Sequence, residues 1–131
     1  MPHIIVEYSA NLENDIPPHH LVDAIHAAAV ASGIADVAGF RTRLERREIY
    51  RVGNGDPDNA FVHIVARIRH GRSAEQRKAF AQLLLAAANK ALDPAFAARP
   101  LALSVEIHEI DPEMRLMRNT VREGGPGEKA A

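Results

Sequence analysis

The chain contains no cysteine. Disulfide scaffolds, thiolate nucleophiles and cysteine-ligated zinc or iron–sulfur sites are therefore excluded. Long apolar runs are also missing: the longest, Leu83 to Ala88, is far too short to cross a bilayer. No basic segment followed by an apolar stretch opens the chain, so it shows no signal-peptide pattern and the cytoplasm is the expected location. Nor is there an excess of positive charge. Lys plus Arg is 16 and Asp plus Glu 17, a formal net charge of -1, which argues against a nucleic-acid backbone as partner. A glycine-rich phosphate loop, a G-x-S-x-G elbow and an H-E-x-x-H helix are all absent from the sequence. What is there is 131 residues, 47% hydrophobic and 25% charged, the profile of one ordinary folded domain.

Lysine is scarce as well. The 16 cations divide into 13 Arg and 3 Lys. Arginine offers a planar fork that matches a carboxylate, whereas lysine is a point charge. A GC-rich coding sequence produces the same bias, so composition alone does not separate the two explanations. Position does.

His3-Ile4-Ile5-Val6 is a nearly unbroken apolar run and predicts a strand buried on both faces. Pro17-Pro18 then precedes Leu21, Val22, Ile25, Ala28 and Ala29 at helical spacing, with Gly33 as the stop. From Val37 to Val52 the pattern weakens and predicts strand, turn, strand, followed by a loop over Gly53 to Asp58. Phe61 to Arg69 alternates, with Val62, Ile64, Ala66 and Ile68 on one face. Ser73 and Gln76 form a capping-box pattern before Phe80, Leu83, Leu84, Ala87 and Ala91, a helix that Asp93-Pro94 should end. Leu101, Leu103, Val105 and Ile107 mark a last strand, and after Pro112 the pattern becomes irregular.

The chain repeats itself. His3-Ile4-Ile5-Val6 and a helix correspond to His63-Ile64-Val65-Ala66 and a helix at an offset of 60. The expected fold is therefore α+β: two tandem βαβ units, a four-stranded sheet and two helices on one of its faces. The expected domain covers residues 1–122, with pseudo-repeats over about 2–56 and 57–112 and a flexible tail over 123–131. Two helices cover only one face of such a sheet, so a second copy of the chain is expected over the other.

Three groups of residues could carry chemistry. His19, His20 and His26 are the nearest approach to a metal cluster, but no carboxylate stands at ligand spacing, and no metal is expected. Pro2 directly follows Met1, a context that favours removal of Met1 and would free a secondary amine, both base and nucleophile. Arg72 sits between Gly71 and the helix-capping Ser73, where helix N–H groups and a guanidinium fork favour an anion. Arg41 follows Gly39-Phe40, and Arg43 shares its strand face.

Taken in order, Met1-Pro2-His3-Ile4-Ile5-Val6-Glu7, Ala38-Gly39-Phe40-Arg41-Thr42-Arg43, Ala60-Phe61-Val62-His63, Gly71-Arg72-Ser73 and Leu103-Ser104-Val105-Glu106-Ile107 resemble the 5-carboxymethyl-2-hydroxymuconate Δ-isomerase family of the tautomerase superfamily. The resemblance runs over about residues 2 to 120. It implies a homotrimer of two-βαβ subunits and a cofactor-independent isomerase of homoprotocatechuate catabolism. The implied substrate is a small unsaturated polycarboxylate, converted from its enol to the conjugated 2-oxo isomer. Pro2 would be the general base, with Arg41 and Arg72 binding carboxylates and stabilising charge, and Arg43 a further substrate-binding residue. Another 2-oxo or enol acid as substrate, and a non-catalytic trimeric binding module, are the competing readings. The polar loop from Gly53 to Asp58 would bear on substrate choice if it bordered the pocket.

Overall fold

Two parallel strand pairs meet at an antiparallel seam. In the computed structural model, which describes residues 2–122, the elements are β1 (His3–Ser9), α1 (Pro18–Ala31), β2 (Arg41–Arg47), β3 (Ala60–Arg69), α2 (Ala74–Ala91), α3 (Asp93–Ala98) and β4 (Leu101–Ile110). The sheet order is β2-β1-β3-β4. β1 runs parallel to β2 and β3 parallel to β4, while β1 and β3 pair antiparallel, with Val6 opposite Ile64. This is the expected pair of βαβ units. The tail assigned to residues 123–131 lies outside the described residues.

The core explains the register. Ile4, Val6, Val62, Ile64 and Ala66 turn one face of the sheet toward Leu21, Ile25 and Ala29 of α1 and Phe80, Leu84 and Ala88 of α2, and all are buried. Fully burying an aliphatic side chain is worth about 1.5–3 kcal/mol, and a slip of one residue would move the whole set to the other face. The pseudo-repeat is visible in this packing: Ile4 and Ile64 stand 60 apart, and so do Val6 and Ala66. α1 opens with Pro18 in its first turn and closes at Ser32, before Gly33 at a φ of 71°. α2 is closed by its capping box, Gln76 N donating to Ser73 Oγ at 3.1 Å and Ser73 N to Gln76 Oε1 at 2.9 Å.

Three expectations need correcting. β1 is not buried on both faces: His3, Ile5 and Glu7 are half-exposed, because both helices lie on the other side. The stretch to Val52 contains one strand, not two. β2 is an edge strand paired only with β1, and β1 ends at Ser9 opposite Arg47, so the chain beyond has no ladder to join. It folds instead into a loop pinned by Asn59, whose side-chain amide donates to Val52 O at 3.1 Å and Asn54 Oδ1 at 3.1 Å. Finally, Asp93-Pro94 ends α2 but also opens α3, since proline costs nothing at a first helical turn.

Candidate active site

The strand directions decide which connections share an end of the sheet. β1 and β2 begin where β3 and β4 finish. At that end lie Pro2, the α1–β2 connection over residues 33–39, the β3–α2 turn at Gly71-Arg72, and the segment that follows β4. They enclose a cleft of about 610 Å³, lined among others by Pro2, Ile34, Asp36, Arg69, Arg72, Arg115 and Asn119. The Gly53 to Asp58 loop belongs to the opposite end, where Asn11 Nδ2 donates to Asn59 O at 2.9 Å, and it does not border this cleft.

Pro2 is fully buried on the helix side of the sheet, and its carbonyl accepts from Arg41 N at 3.0 Å. The ladder to β2 is thus continued to Pro2, which is held on that flank. Arg72 faces the same cleft. Its Nε donates to Ile34 O at 3.1 Å, its Nη2 to the same oxygen, and its Nη1 to Arg69 O at 3.0 Å. One N–H on each terminal nitrogen stays available to a ligand. Gly71 precedes it at a φ of 119°, a conformation that a side chain would disfavour, and so turns Arg72 back over the end of β3.

Arg41 and Arg43 go elsewhere. In the ladder they stand opposite His3 and Ile5, on the face away from the helices, while Thr42 between them turns inward, 2.7 Å from His26 Nδ1. Arg41 Nη1 donates to Gly39 O at 3.1 Å, and Arg43 Nη1 to His3 Nδ1 at 3.1 Å. The structure thus brings together Pro2 and Arg72, and sets Arg41 and Arg43 on the open face of the same chain. Of the three helix histidines, His26 is engaged by Thr42 and His19 packs edge-on against His20.

The irregular segment after Pro112 supplies what sequence patterning missed. It crosses back over the cleft, anchored by Asn119 Nδ2 donating to Ala38 O at 2.9 Å. This brings Arg115 into the lining, while Arg69 arrives from the end of β3. No periodicity marks Arg115 or Asn119. Arg69 was visible only as one more outward residue of an alternating strand. Asp36 is the one carboxylate among the lining residues, against three arginines, so the lining carries an excess of positive charge, which favours anions.

The open face at this end is also basic. Arg41, His3, Arg67 and His108 form one cross-strand row. Burial, then Arg43, Arg41 and Arg67, hold the His3 imidazole below the ordinary value of 6.5. Because the guanidinium of Arg43 has only donors, Nδ1 is the acceptor and the neutral ring carries its proton on Nε2. The unfolded chain takes up that proton first, so stability is fully present above 6.5 and falls with pH between 6.5 and the lowered value. His3→Gln is expected to reduce the loss of Tm between about pH 7.5 and about pH 5.5. Equal losses in the variant and the wild type would refute this.

Comparison with known proteins follows the same lines. The profile of a family described as 5-carboxymethyl-2-hydroxymuconate isomerase matches residues 2–124. The chain is 32% identical over 121 residues to a 5-carboxymethyl-2-hydroxymuconate Delta-isomerase of Escherichia coli, covering 92% of this chain and 96% of that one. A crystal structure of a 5-carboxymethyl-2-hydroxymuconate isomerase from Deinococcus radiodurans R1 superposes with a TM-score of 0.81 at 32% identity, covering 90% of this chain and 89% of that one. A fused 4-OT described as a symmetric trimer shares the fold, with a TM-score of 0.64 at 19% identity over 91% of this chain and 94% of that one.

Proposed function

The chain belongs to the 5-carboxymethyl-2-hydroxymuconate isomerase family, and from that premise we propose that it converts 5-carboxymethyl-2-hydroxymuconate to its conjugated 2-oxo isomer with Pro2 as the base. The observation that carries this reading is the burial of Pro2 in a cleft whose lining holds three arginines and one carboxylate.

The chemistry is a proton relocation. The O–H bond at C2 breaks and a C=O forms. The double bonds at C2–C3 and C4–C5 give way to one at C3–C4, and a C–H bond forms at C5. Nothing is oxidised or reduced, so the reaction requires no redox cofactor. Once Met1 is removed, the Pro2 amine takes the enol proton and returns it to C5. Burial and the neighbouring guanidiniums disfavour a cation at this nitrogen and so favour the free base. Arg72 receives the carboxylate beside the reacting centre on its two remaining N–H groups and stabilises charge as it develops at the 2-oxo oxygen.

Arg41 and Arg43 enter this scheme through assembly. The open sheet face carries half-exposed Phe61, Ile5 and Val65 in addition to its basic row, and the edges β2 and β4 are unpaired in the single chain. A homotrimer covers that face and lets Arg41 and Arg43 serve a neighbouring subunit's cleft. A fused 4-OT of the same fold is a symmetric trimer, which supports this arrangement. The enzyme would act in the cytoplasm, in the breakdown of aromatic compounds by way of homoprotocatechuate. Among the described residues no helix is long and apolar enough to cross a membrane.

The test is an ultraviolet assay following conversion of 5-carboxymethyl-2-hydroxymuconate by the wild-type protein. Turnover faster on this tricarboxylate than on a phenylenolpyruvate is the expected result. The reverse preference would assign the fold to a different enol acid, and no turnover of either would remove the catalytic reading.

A further inference from the structure

We propose that Arg69 and Arg115 form a second clamp in the Pro2 cleft, which recognises the paired carboxylates at the C5 end of the substrate and sets specificity for a tricarboxylate. The inference rests on the isomerase reading for the identity of the ligand, and on the structure for the clamp.

Three arginines line the cleft, and they are not equivalent. Arg72 spends its Nε and one N–H of each terminal nitrogen on the carbonyls of Ile34 and Arg69. What remains suits one carboxylate. Among the described residues Arg69 makes no side-chain hydrogen bond and no ion pair. Arg115 donates only to the thioether of Met117, at 2.8 Å, a weak acceptor that neutralises none of its charge. Asp36, the sole carboxylate in the lining, pairs with neither. Two arginines without a carboxylate partner therefore line the cleft that holds the proposed base.

The opposite ends of the chain's architecture converge here for a structural reason. Arg69 is the last residue of β3, and its carbonyl accepts from Arg72 Nη1, which fastens Arg72 beside the end of β3. Arg115 is brought in by the returning segment, which Asn119 fastens to Ala38. The ligand chemistry follows by counting. The substrate carries three carboxylates: one beside C2, and two on the carbon skeleton at C5, namely the C6 carboxylate and the carboxymethyl group. With Arg72 assigned to the first, and Arg41 and Arg43 of the assembled trimer to the 2-oxo group beside it, Arg69 and Arg115 match the remaining pair. That pair sits at the carbon to which Pro2 delivers the proton, so the clamp would also hold C5 in place for protonation.

Arg69→Gln and Arg115→Gln separate this from general electrostatics. Each variant is compared with the wild type on 5-carboxymethyl-2-hydroxymuconate and on 2-hydroxymuconate, which lacks the carboxymethyl group. Each is expected to raise KM for the tricarboxylate about 10–100-fold, the scale of one lost charge-assisted hydrogen-bond pair, with a much smaller change in kcat. Because 2-hydroxymuconate keeps the C6 carboxylate, the variant that loses the carboxymethyl contact should drop the preference for tricarboxylate over dicarboxylate about tenfold or more, while the variant that loses the C6 contact weakens both substrates. An unchanged preference in both variants, or no loss in either, would overturn the clamp. A wild-type protein without turnover would overturn the isomerase reading instead. The clamp is then tested by binding of propane-1,2,3-tricarboxylate against glutarate: loss of the tricarboxylate preference in the variants supports it, and an unchanged preference refutes it.

Discussion

Pro2→Ala is expected to lower kcat/KM for 5-carboxymethyl-2-hydroxymuconate by about 10²–10⁴-fold, the range that a positioned general base contributes. An alanine at this position still presents an amine, but a primary one on an unconstrained chain start, so some turnover survives. A protein that keeps Met1 should be inactive altogether. Its Pro2 nitrogen is then an amide, whose lone pair is delocalised into the carbonyl and has no basicity. Intact-mass measurement on the preparation used for kinetics distinguishes the two cases. Activity in a sample shown to retain Met1 throughout would exclude Pro2 as the base, whatever the alanine variant does. The substitution carries a modest structural risk, because the Pro2 carbonyl and not its ring pairs with Arg41 N. Thermal unfolding of Pro2→Ala should therefore remain close to that of the wild type.

Arg72→Ala is the second large effect. Loss of one preorganised electrostatic stabiliser corresponds to about 2–4 kcal/mol in kcat/KM. Here the same side chain also fastens the cleft wall, through three N–H groups bonded to the carbonyls of Ile34 and Arg69. The variant should consequently lose stability together with activity, and a split of kcat from KM tells the two apart. A role in charge stabilisation appears in kcat at saturating substrate. A role confined to holding residues 33–39 appears in KM and Tm, with kcat retained. Arg72→Lys keeps the charge but cannot reproduce the forked contact, so it should recover only part of either. An unchanged kcat/KM in Arg72→Ala would exclude the residue from the site.

The helix face of the fold was legible in the sequence because it is written in burial. Val62, Ile64, Ala66 and Ile68 alternate since every second side chain of β3 meets α1 and α2. Ser73 and Gln76 were recognisable because a capping box is a local contact, closed within a few residues. β2 was harder to see. An edge strand needs no apolar alternation, and Arg41–Arg47 is held by its ladder to β1 and by ion pairs from Arg47 to Glu7 and Glu45. The expected strand beyond it fails for want of a neighbour.

The candidate site divides along the same line. The sequence by itself determined the residue types, Pro2, Arg41, Arg43 and Arg72 as separate candidates, and the doubled βαβ pattern. Each depends on a local spacing or on a repeat that a linear reading detects. Only the tertiary structure decided which arginines share a cleft with Pro2. Arg41 and Arg43 are set on the open face by strand alternation against His3 and Ile5. Arg69 and Arg115 enter because β3 ends at the Pro2 edge of the sheet and the segment after β4 returns across it. That convergence joins residues as distant as Pro2 and Asn119, and it follows from strand direction and chain return, which no local pattern of side chains encodes.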